Sequence, residues 1–315
     1  MPTTLVPRLI GGRTFDFARR TAVMAVVNRT PDSFYDAGST YALDAAVAKA
    51  AQAARDGADW VDIGGVPFSP DTPDVSPAEE LERVLPVVQA LAAESDVVIS
   101  VDTYTPQVAA ACLQAGAAVI NDVTGLRTPG LAEVIADSDA TVVIAHSIAE
   151  PHRHLRRPRY QDVVTEVRDF LLRRVDVAID AGIPPERIVI DPGHDLNKNT
   201  LHSLEITRRL GEITTLGFPV LVALSNKDFI GETLDRPRAA RLSGSLATTA
   251  LCIAAGARIV RAHQVPETID AVRMTEAVLG LREPERLRHN IDDEALVAAL
   301  PAPGPAAGPP EEVQP

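Results

Sequence analysis

The sequence predicts an α/β fold, a (β/α)8 TIM barrel, and three observations support that prediction. Short runs rich in β-branched residues recur along the 315-residue chain, and stretches with the helical spacing of apolar residues separate them. Eight such runs are present, and nearly all of them stop on a single polar residue. Eight strands that alternate with helices favour a parallel barrel, in which the carboxyl ends of the strands meet on one face. The pattern therefore predicts the fold and the position of a functional site together.

The order of strands and helices follows from where each run begins and ends. The predicted strands cover residues 26–28, 61–63, 99–102, 119–121, 142–146, 188–191, 221–225 and 259–261. Helices are predicted over residues 43–57, 77–93, 105–115, 129–137, 161–181, 201–216, 235–255 and 266–280, and several end at a glycine, as helix C-termini often do. A β-hairpin with a Gly11-Gly12 turn is predicted within residues 5–20, where we expect it to plug the bottom of the barrel.

The length of the chain predicts one domain. A (β/α)8 barrel takes about 250 residues, so we expect residues 1–285 to form a single barrel domain and residues 286–315 to form a C-terminal extension. The extension ends in a run of proline, glycine and alanine, which cannot bury enough apolar surface to fold. We therefore expect a disordered C-terminal tail.

Charge and cysteine content limit the partners and the compartment. A formal net charge of −13 argues against nucleic acid as a partner, because nucleic-acid binding needs a basic face. The N-terminus lacks the pattern of a signal sequence, and no apolar run is long enough to span a bilayer. Cys112 and Cys252 lie in Ala-rich helical patterns without metal-ligand spacing, which suggests buried structural thiols. We expect a cytoplasmic protein with no membrane partner.

The ends of several strands carry groups suited to a flat heterocycle. Asp102, Asn121 and Asp191 end three predicted strands, and Lys227 follows a fourth. Such groups on one rim can bond a ring that carries adjacent N–H, amino and carbonyl groups. Each carboxylate alone could instead cap the next helix, but three on one rim favour a ligand. Lys198, which follows the sixth strand, is expected either to contact the ligand or to brace its loop.

The first and last strands predict an anion site. Asn28 ends the first strand, and Arg261 and His263 are two residues apart, so they point the same way along an extended segment. A guanidinium beside an imidazole suits a phosphate or diphosphate. The structural alternative for Arg261 is a helix cap.

Eight short blocks resemble the signature blocks of the dihydropteroate synthase family, in the family's order. They are Val27-Asn28-Arg29-Thr30-Pro31-Asp32-Ser33-Phe34, Asp62-Ile63-Gly64-Gly65, Ser100-Val101-Asp102-Thr103-Tyr104, Ile120-Asn121-Asp122-Val123, Asp191-Pro192-Gly193, Leu224-Ser225-Asn226-Lys227, Gly244-Ser245-Leu246-Ala247 and Val260-Arg261-Ala262-His263. The resemblance spans residues 8–282, and its first block has no general structural reason to occur.

The resemblance implies a pterin-binding barrel that acts in folate biosynthesis. Members of that family join p-aminobenzoate to the methylene carbon of 6-hydroxymethyl-7,8-dihydropterin diphosphate and release diphosphate, with magnesium bound to the diphosphate. The amine is a neutral nucleophile, so no strong general base is required. A homodimer through helices late in the barrel is also implied.

The roles of individual residues are carried over by motif. The residues that would bind the pterin are Asp102, Asn121, Asp191 and Lys227. The residues that would hold the diphosphate and its magnesium are Asn28, Arg261 and His263, with Asn28 as the metal ligand. The catalytic set implied by the resemblance is Arg261, His263 and Lys227.

The chain departs from the family pattern in three loops and beside Asn28. After strand two, the family's Gly-Gly-Glu-Ser-Thr-Arg-Pro-Gly is replaced by Gly64-Gly65-Val66-Pro67-Phe68-Ser69-Pro70-Asp71, which lacks the Thr-Arg pair that orders the loop over p-aminobenzoate. After strand seven, Asn226 stands where the family has arginine, and after strand six a glycine-rich segment has become the polar segment 194–199. Arg29 replaces an apolar residue. The chain thus resembles a divergent second paralogue whose synthase activity is weak, altered or lost.

Three other functions fit the sequence in part. A fully functional synthase with a remodelled loop is one, and a non-catalytic pterin-binding or regulatory paralogue is another. The third is a metal-dependent hydrolase that would use His146, His194, His202 and His263, although no strand has the His-x-His spacing typical of such barrels. A methyl-transferring pterin domain would keep the Asp and Asn set but would not need the diphosphate groups.

Overall fold

The computed structural model describes residues 6–30, 42–67, 74–149, 155 and 157–290. The Pro-rich tail predicted at the C-terminus lies outside the described residues, as does most of the predicted extension.

Ten strands and ten α-helices make up the described part of the chain. The strands are β1 Arg8–Ile10, β2 Arg13–Phe15, β3 Ala22–Asn28, β4 Trp60–Gly64, β5 Val98–Asp102, β6 Val119–Asp122, β7 Thr141–Ala145, β8 Ile188–Asp191, β9 Leu221–Ala223 and β10 Ile259–Ala262. The helices are α1 Leu43–Arg55, α2 Pro77–Glu94, α3 Pro106–Gln114, α4 Leu131–Ala136, α5 Val163–Asp180, α6 Thr200–Arg208, α7 Leu210–Thr214, α8 Asp228–Leu234, α9 Leu242–Ala254 and α10 Val265–Val278. Short 3-10 helices at Pro185–Arg187 and Arg238–Ala240 precede β8 and α9.

Strands β3 to β10 form one parallel barrel. Their hydrogen-bonded order is β8, β7, β6, β5, β4, β3, β10, β9. Ile190 in β8 also pairs with Val220, the residue just before β9, and this parallel pairing brings the two ends of the sheet together. The (β/α)8 barrel predicted from the sequence is confirmed.

The alternation of side chains along each strand builds two apolar layers. In β3, Val23, Ala25 and Val27 face the surrounding helices and join the main core. Ala22 and Met24 face the barrel interior, where they pack with the first inward residues of the other strands. Because successive side chains point to opposite faces, the next inward residue after Val26 at the end of β3 is Asn28, which lies on the rim.

The N-terminal hairpin closes the bottom of the barrel, as predicted. Strands β1 and β2 pair antiparallel around Gly11 and Gly12, both with positive φ. Ile10, Phe15 and Phe17 are buried in the same cluster as the inward residues of the barrel strands. The Phe15 ring meets the indole of Trp60 edge to face at 5.8 Å between ring centroids. The amino-terminal end of the barrel is thus packed with aromatic side chains.

Two of the predicted helices were wrong in their extent. The helix predicted at 235–255 begins only at Leu242, as α9, and the preceding helix α8 was not predicted; Asp235 in the left-handed conformation and Pro237 separate the two. Proline has no N–H and fixes φ, so it cannot continue α8. The helix predicted at 201–216 is likewise divided at Arg209 into α6 and α7.

Two further findings concern membranes and thiols. Within the part of the chain that the structure describes, no helix has the length and apolar character needed to cross a membrane. Cys112 and Cys252 are free and buried, and burial raises the pKa of each thiol to about 12. Both cysteines pack as apolar side chains.

Candidate functional site

Asp62 is the centre of a polar network inside the carboxyl-terminal end of the barrel. Its side chain is fully buried, and it accepts hydrogen bonds from three other strands of the barrel. Ser100 Oγ donates to Oδ1 at 2.6 Å, and Asn121 Nδ2 donates to Oδ2 at 3.0 Å. Arg261 Nε donates to the same Oδ2 at 2.7 Å. One carboxylate therefore joins β4, β5, β6 and β10.

Arg261 also connects this network to the rim. Its Nη2 donates to Asp102 Oδ2 at 3.1 Å. Burial raises the pKa of Asp102 to about 7, while the adjacent guanidinium lowers it and Asp62 raises it further. Burial works against the charge of Arg261, but Asp62 and Asp102 outweigh it, so the pKa of Arg261 is raised. Sequence-predicted residues Asp102, Asn121 and Arg261 are thus brought together, and Arg261 bonds carboxylates rather than capping a helix.

Asp191 lies at the end of β8 with its carboxylate fixed by the backbone. Gly193 N–H donates to Asp191 Oδ1 at 2.7 Å. Burial raises the pKa of Asp191, and the Gly193 N–H, Lys227 and Lys198 oppose that rise. Gly193 has φ of 68°, and a side chain there would collide with the carbonyl of His146. The turn after β8 therefore requires glycine.

Lys198 braces the loop after β8. Its ammonium group is buried and donates to the carbonyls of Gly193 at 2.8 Å, Leu196 at 3.1 Å and His146 at 3.3 Å. The Lys198 Nζ also lies 2.8 Å from His146 Nδ1. Burial lowers the pKa of Lys198 to about 7, and Asp191 opposes that shift. Of the two roles expected from the sequence, these contacts match the brace.

The polar segment that replaces the family's glycine-rich one keeps a glycine-like backbone. Asp195 and Asn197 have φ of 64° and 50°, in the left-handed region that these two residue types tolerate best. Asn197 Nδ2 donates to Ser147 Oγ at 3.0 Å, and its Oδ1 accepts from the N–H of Leu155 at 2.9 Å. The added side chains therefore bond neighbouring loops.

The loops after β9 and β10 meet through Ser225. Its Oγ accepts from the N–H of His263 at 3.3 Å and lies 3.1 Å from His263 Nδ1. The same hydroxyl donates to Gln264 Oε1 at 3.1 Å. Asn226 is buried in the left-handed conformation, with φ of 60°, and its N–H donates to Ser245 Oγ at 3.1 Å. Lys227 is half-buried and immediately precedes α8.

Asn28 and Arg29 take different directions at the end of β3. Asn28 Oδ1 lies where a side chain on Gly64 would come within 3.0 Å, so the glycine in β4 makes room for this amide. Arg29 points away from the barrel, and its Nη1 donates to the carbonyls of Glu82 at 2.8 Å and Arg83 at 3.0 Å in α2. Arg29 is therefore a contact to the outer helix layer.

The sequence prediction missed Asp62 and Ser100 as members of the site. Asp62 was noted as a polar residue within a strand but was given no role, because it lies two residues before the end of β4. The signal in the sequence was the position of Asp62 between Val61 and Ile63, which places its side chain on the face opposite to theirs. A charged residue on the inward face of a barrel strand requires a partner.

The histidines of the hydrolase alternative have separate partners. His146 meets Lys198, His194 Nε2 lies 3.2 Å from Thr207 Oγ1, and His202 closes a capping box with Asn199 at the start of α6. Among the described residues, no group of three or more histidine, cysteine, aspartate or glutamate side chains could hold a metal ion.

Comparison with known proteins gives the family. Residues 24–263 match the family described as pterin binding enzyme, so the chain belongs to that family. It is 42% identical over 275 residues to the inactive dihydropteroate synthase 2 of Mycobacterium leprae (strain TN), covering 85% of this chain and 94% of that protein. It is 39% identical over 264 residues to the dihydropteroate synthase of Escherichia coli (strain K12), covering 84% of this chain and 94% of that protein.

Solved structures agree with this assignment. The dihydropteroate synthase of Xanthomonas albilineans with 4-aminobenzoic acid superposes with a TM-score of 0.81 at 40% sequence identity. That likeness covers 88% of this chain and 99% of the Xanthomonas chain. The resemblance of the sequence to the dihydropteroate synthase family is thus confirmed.

Proposed function

We propose that this protein binds a pterin at the upper rim of the barrel and that its dihydropteroate-forming activity is weak, altered or lost. The observation that carries the proposal is the linked set of Asp62, Asp102, Asn121 and Arg261, with Asp191 across the barrel. Fixed carboxylate and amide groups suit the N–H, amino and carbonyl edge of a pterin, and each charged hydrogen bond contributes about 1.5–3 kcal/mol. Lys227 supplies a donor close enough to Asp191 to oppose the rise in its pKa.

The p-aminobenzoate side lacks its usual cation. Gly65, Val66 and Pro67 follow β4, and the next two loop residues of the altered block, Phe68 and Ser69, lie outside the described residues. Arg83 Nη1 in α2 donates to the carbonyl of Gly65 at 2.7 Å, which ties the base of this loop to the helix. Val66 and Pro67 have no side-chain donor for a benzoate carboxylate. The name of the Mycobacterium leprae relative, an inactive synthase, supports the same proposal.

The diphosphate side keeps groups that fit a magnesium diphosphate. The amide oxygen of Asn28 is a hard ligand of the kind that Mg²⁺ takes beside phosphate oxygens, and Arg261 and His263 supply neighbouring positive or donor groups. When bound, magnesium would neutralise charge on the leaving diphosphate. In the condensation, the amine nitrogen attacks the methylene carbon, the bond from that carbon to the diphosphate oxygen breaks, and the amine proton passes to solvent. Arg261 would hold the leaving group in place.

The assembly we propose is a homodimer. Leu251 in α9 and Met274 and Val278 in α10 are each more than 60% exposed, and the two helices pack against each other. Exposed apolar side chains on adjacent helices favour burial against a second copy. Light scattering coupled to gel filtration should give twice the monomer mass of 33.5 kDa. A mass of one chain at all concentrations would exclude the dimer.

Two buried thiols also suit a cytoplasmic location.

Calorimetry and a turnover assay test the proposed function. Titration with 6-hydroxymethyl-7,8-dihydropterin diphosphate and magnesium should give saturable binding, and the product assay with p-aminobenzoate should then give slow or undetectable dihydropteroate formation. The Escherichia coli enzyme assayed side by side is the reference. Absence of pterin binding would exclude a pterin site, and a turnover number comparable to the reference would exclude loss of activity.

A further inference from the structure

Asp195 joins the loop after β8 to the start of α8. Its Oδ2 accepts from the N–H of Asp228 at 2.7 Å and from the N–H of Phe229 at 3.3 Å. Its Oδ1 accepts from Ser203 Oγ at 2.9 Å, and its own N–H donates to the same hydroxyl at 3.2 Å. One half-buried side chain therefore bonds the beginning of α8 and the first turns of α6 at once.

Lys227 lies at the start of α8, the end of the helix to which Asp195 is hydrogen-bonded. Lys227 is the N-cap residue of α8, with φ of −63° and ψ of 153°, and its own side chain makes no capping hydrogen bond. The first N–H groups of a helix have no partner inside the helix, and a side-chain oxygen usually accepts from them. Here the oxygen comes from a residue 33 positions earlier in the chain, on the neighbouring strand's loop.

The backbone conformation of residue 195 does not by itself require aspartate. Asp195 has φ of 64°, a conformation in which glycine carries no penalty. The glycine-rich pattern of the family would satisfy this backbone equally well but would provide no acceptor for α8. The carboxylate in this chain thus adds a connection that the backbone does not require.

We propose that Asp195 is a positioning residue that holds Lys227 at the pterin site by capping α8 from the loop after β8. The inference rests on the proposed pterin site. Asp195 bonds Ser203 and the start of α8, and Lys227 is close enough to Asp191 to oppose the rise in the pKa of that carboxyl. Capping of α8 fixes the backbone of residue 227 before the ligand binds. Less conformational freedom of Lys227 is then lost on binding, and preorganisation of this kind raises affinity.

Replacement of Asp195 by glycine tests the proposal without straining the backbone. Asp195→Gly should weaken binding of the dihydropterin diphosphate by about 5- to 10-fold, the effect expected from loss of a helix cap. Asp195→Asn retains an oxygen for α8 and an amide for Ser203, so it should recover most of the affinity. Asp235→Gly is the matched control, because exposed Asp235 has a similar φ of 52° at the other end of α8. It should leave the affinity unchanged.

A double-mutant cycle distinguishes positioning from general weakening. If Asp195 acts through Lys227, Asp195→Gly should have no further effect on affinity in a Lys227→Met background. Faster amide exchange at Asp228 and Phe229 in ligand-free Asp195→Gly, with an unchanged melting temperature, would support the cap directly. Wild-type affinity in Asp195→Gly, or an equal loss of affinity in both backgrounds, would overturn this inference but not the proposed pterin site. Failure of the wild-type protein to bind any pterin would overturn the proposed site as well.

Discussion

A single buried carboxylate determines how the residues of the rim are arranged. Asp62 is fully buried and satisfies donors from Ser100, Asn121 and Arg261. Without Asp62, the buried guanidinium of Arg261 would keep only the partly exposed carboxylate of Asp102 as its partner. The conformation of Arg261, and through it the carboxylate of Asp102, therefore depends on a residue that lies deeper in the barrel than the expected ligand.

Removal of that carboxylate should destabilise the folded protein. We expect Asp62→Ala to lower the free energy of unfolding by about 3–5 kcal/mol, because one partner of a buried ion pair is removed and two further donors lose their acceptor. Urea denaturation followed by circular dichroism measures the change. Asp176→Ala, at an exposed position of α5, should stay within about 0.5 kcal/mol of wild type. A similar small effect for Asp62→Ala would show that the network does not hold Arg261.

Asp102 should make stability depend on pH. Burial raises its pKa from 3.8 to about 7, so the folded protein binds this proton more tightly than the unfolded chain does. The stabilisation that Asp102 contributes is therefore fully present below about pH 4 and is lost as the pH rises through about 7. The free energy of unfolding of wild type minus that of Asp102→Asn should fall across this window. Urea titrations at several pH values give that difference, which should be flat for Asp176→Asn. A difference that rises with pH would mean that Arg261 lowers the pKa of Asp102 below its ordinary value.

At the scale of elements, Arg29 compensates for a proline within α2. Pro86 lies inside this helix and has no N–H, so the carbonyl of Glu82 has no helical donor at that position. Arg29 donates to that carbonyl and to the next one, and Arg83 donates to the loop at Gly65. The helix, the end of β3 and the loop after β4 are thus joined by two arginines.

Arg29→Met should therefore destabilise the protein more when Pro86 is present than when it is replaced. We expect Arg29→Met to lower the free energy of unfolding by about 0.5–1.5 kcal/mol, because it removes the side-chain donor to the exposed Glu82 carbonyl. In a Pro86→Ala background, the restored N–H can serve that carbonyl, and the loss should be clearly smaller. Thermal denaturation of the four proteins of this cycle provides the comparison. Equal losses in both backgrounds would show that Arg29 acts through another contact.

The sequence predicted most elements because apolar periodicity and glycine stops are local signals. The start of α8 was not predicted, since its cap comes from Asp195 and no capping residue lies next to Asp228 in the chain. The strand-end residues Asp102, Asn121 and Asp191 could be predicted because parallel strands end on one face. The inward partners of Asp62 could not, because they depend on the register between strands.

At the scale of the whole molecule, the apolar plug and the polar network lie at opposite ends of the barrel. The hairpin and its aromatic side chains seal the amino-terminal end, and the polar network lies at the carboxyl-terminal end. The loops after β4 and β9 lie at this same end of the barrel, because strands β3 to β10 are parallel. Their two departures from the family pattern should therefore act on one site.

Restoration of both loops should increase any residual condensing activity. The change is Val66→Glu, Pro67→Ser, Phe68→Thr and Ser69→Arg, combined with Asn226→Arg. A misplacement of the amine by about 1 Å can lower the rate on the order of 100-fold, so a loop that holds p-aminobenzoate should raise turnover. Steady-state dihydropteroate formation is the measurement, and Asn226→Arg alone is the control, since it leaves the loop after β4 unchanged. Unchanged turnover in the full variant would mean that these loops do not limit the reaction.

The sealed end of the barrel has an evolutionary consequence. Since the aromatic plug and the two apolar layers provide the stability of the fold, substitutions in the rim loops are exposed to little selection for folding. A barrel built in this way can change its rim loop by loop and still fold. Its descendants then retain the strand-end side chains, on which a different activity can be selected.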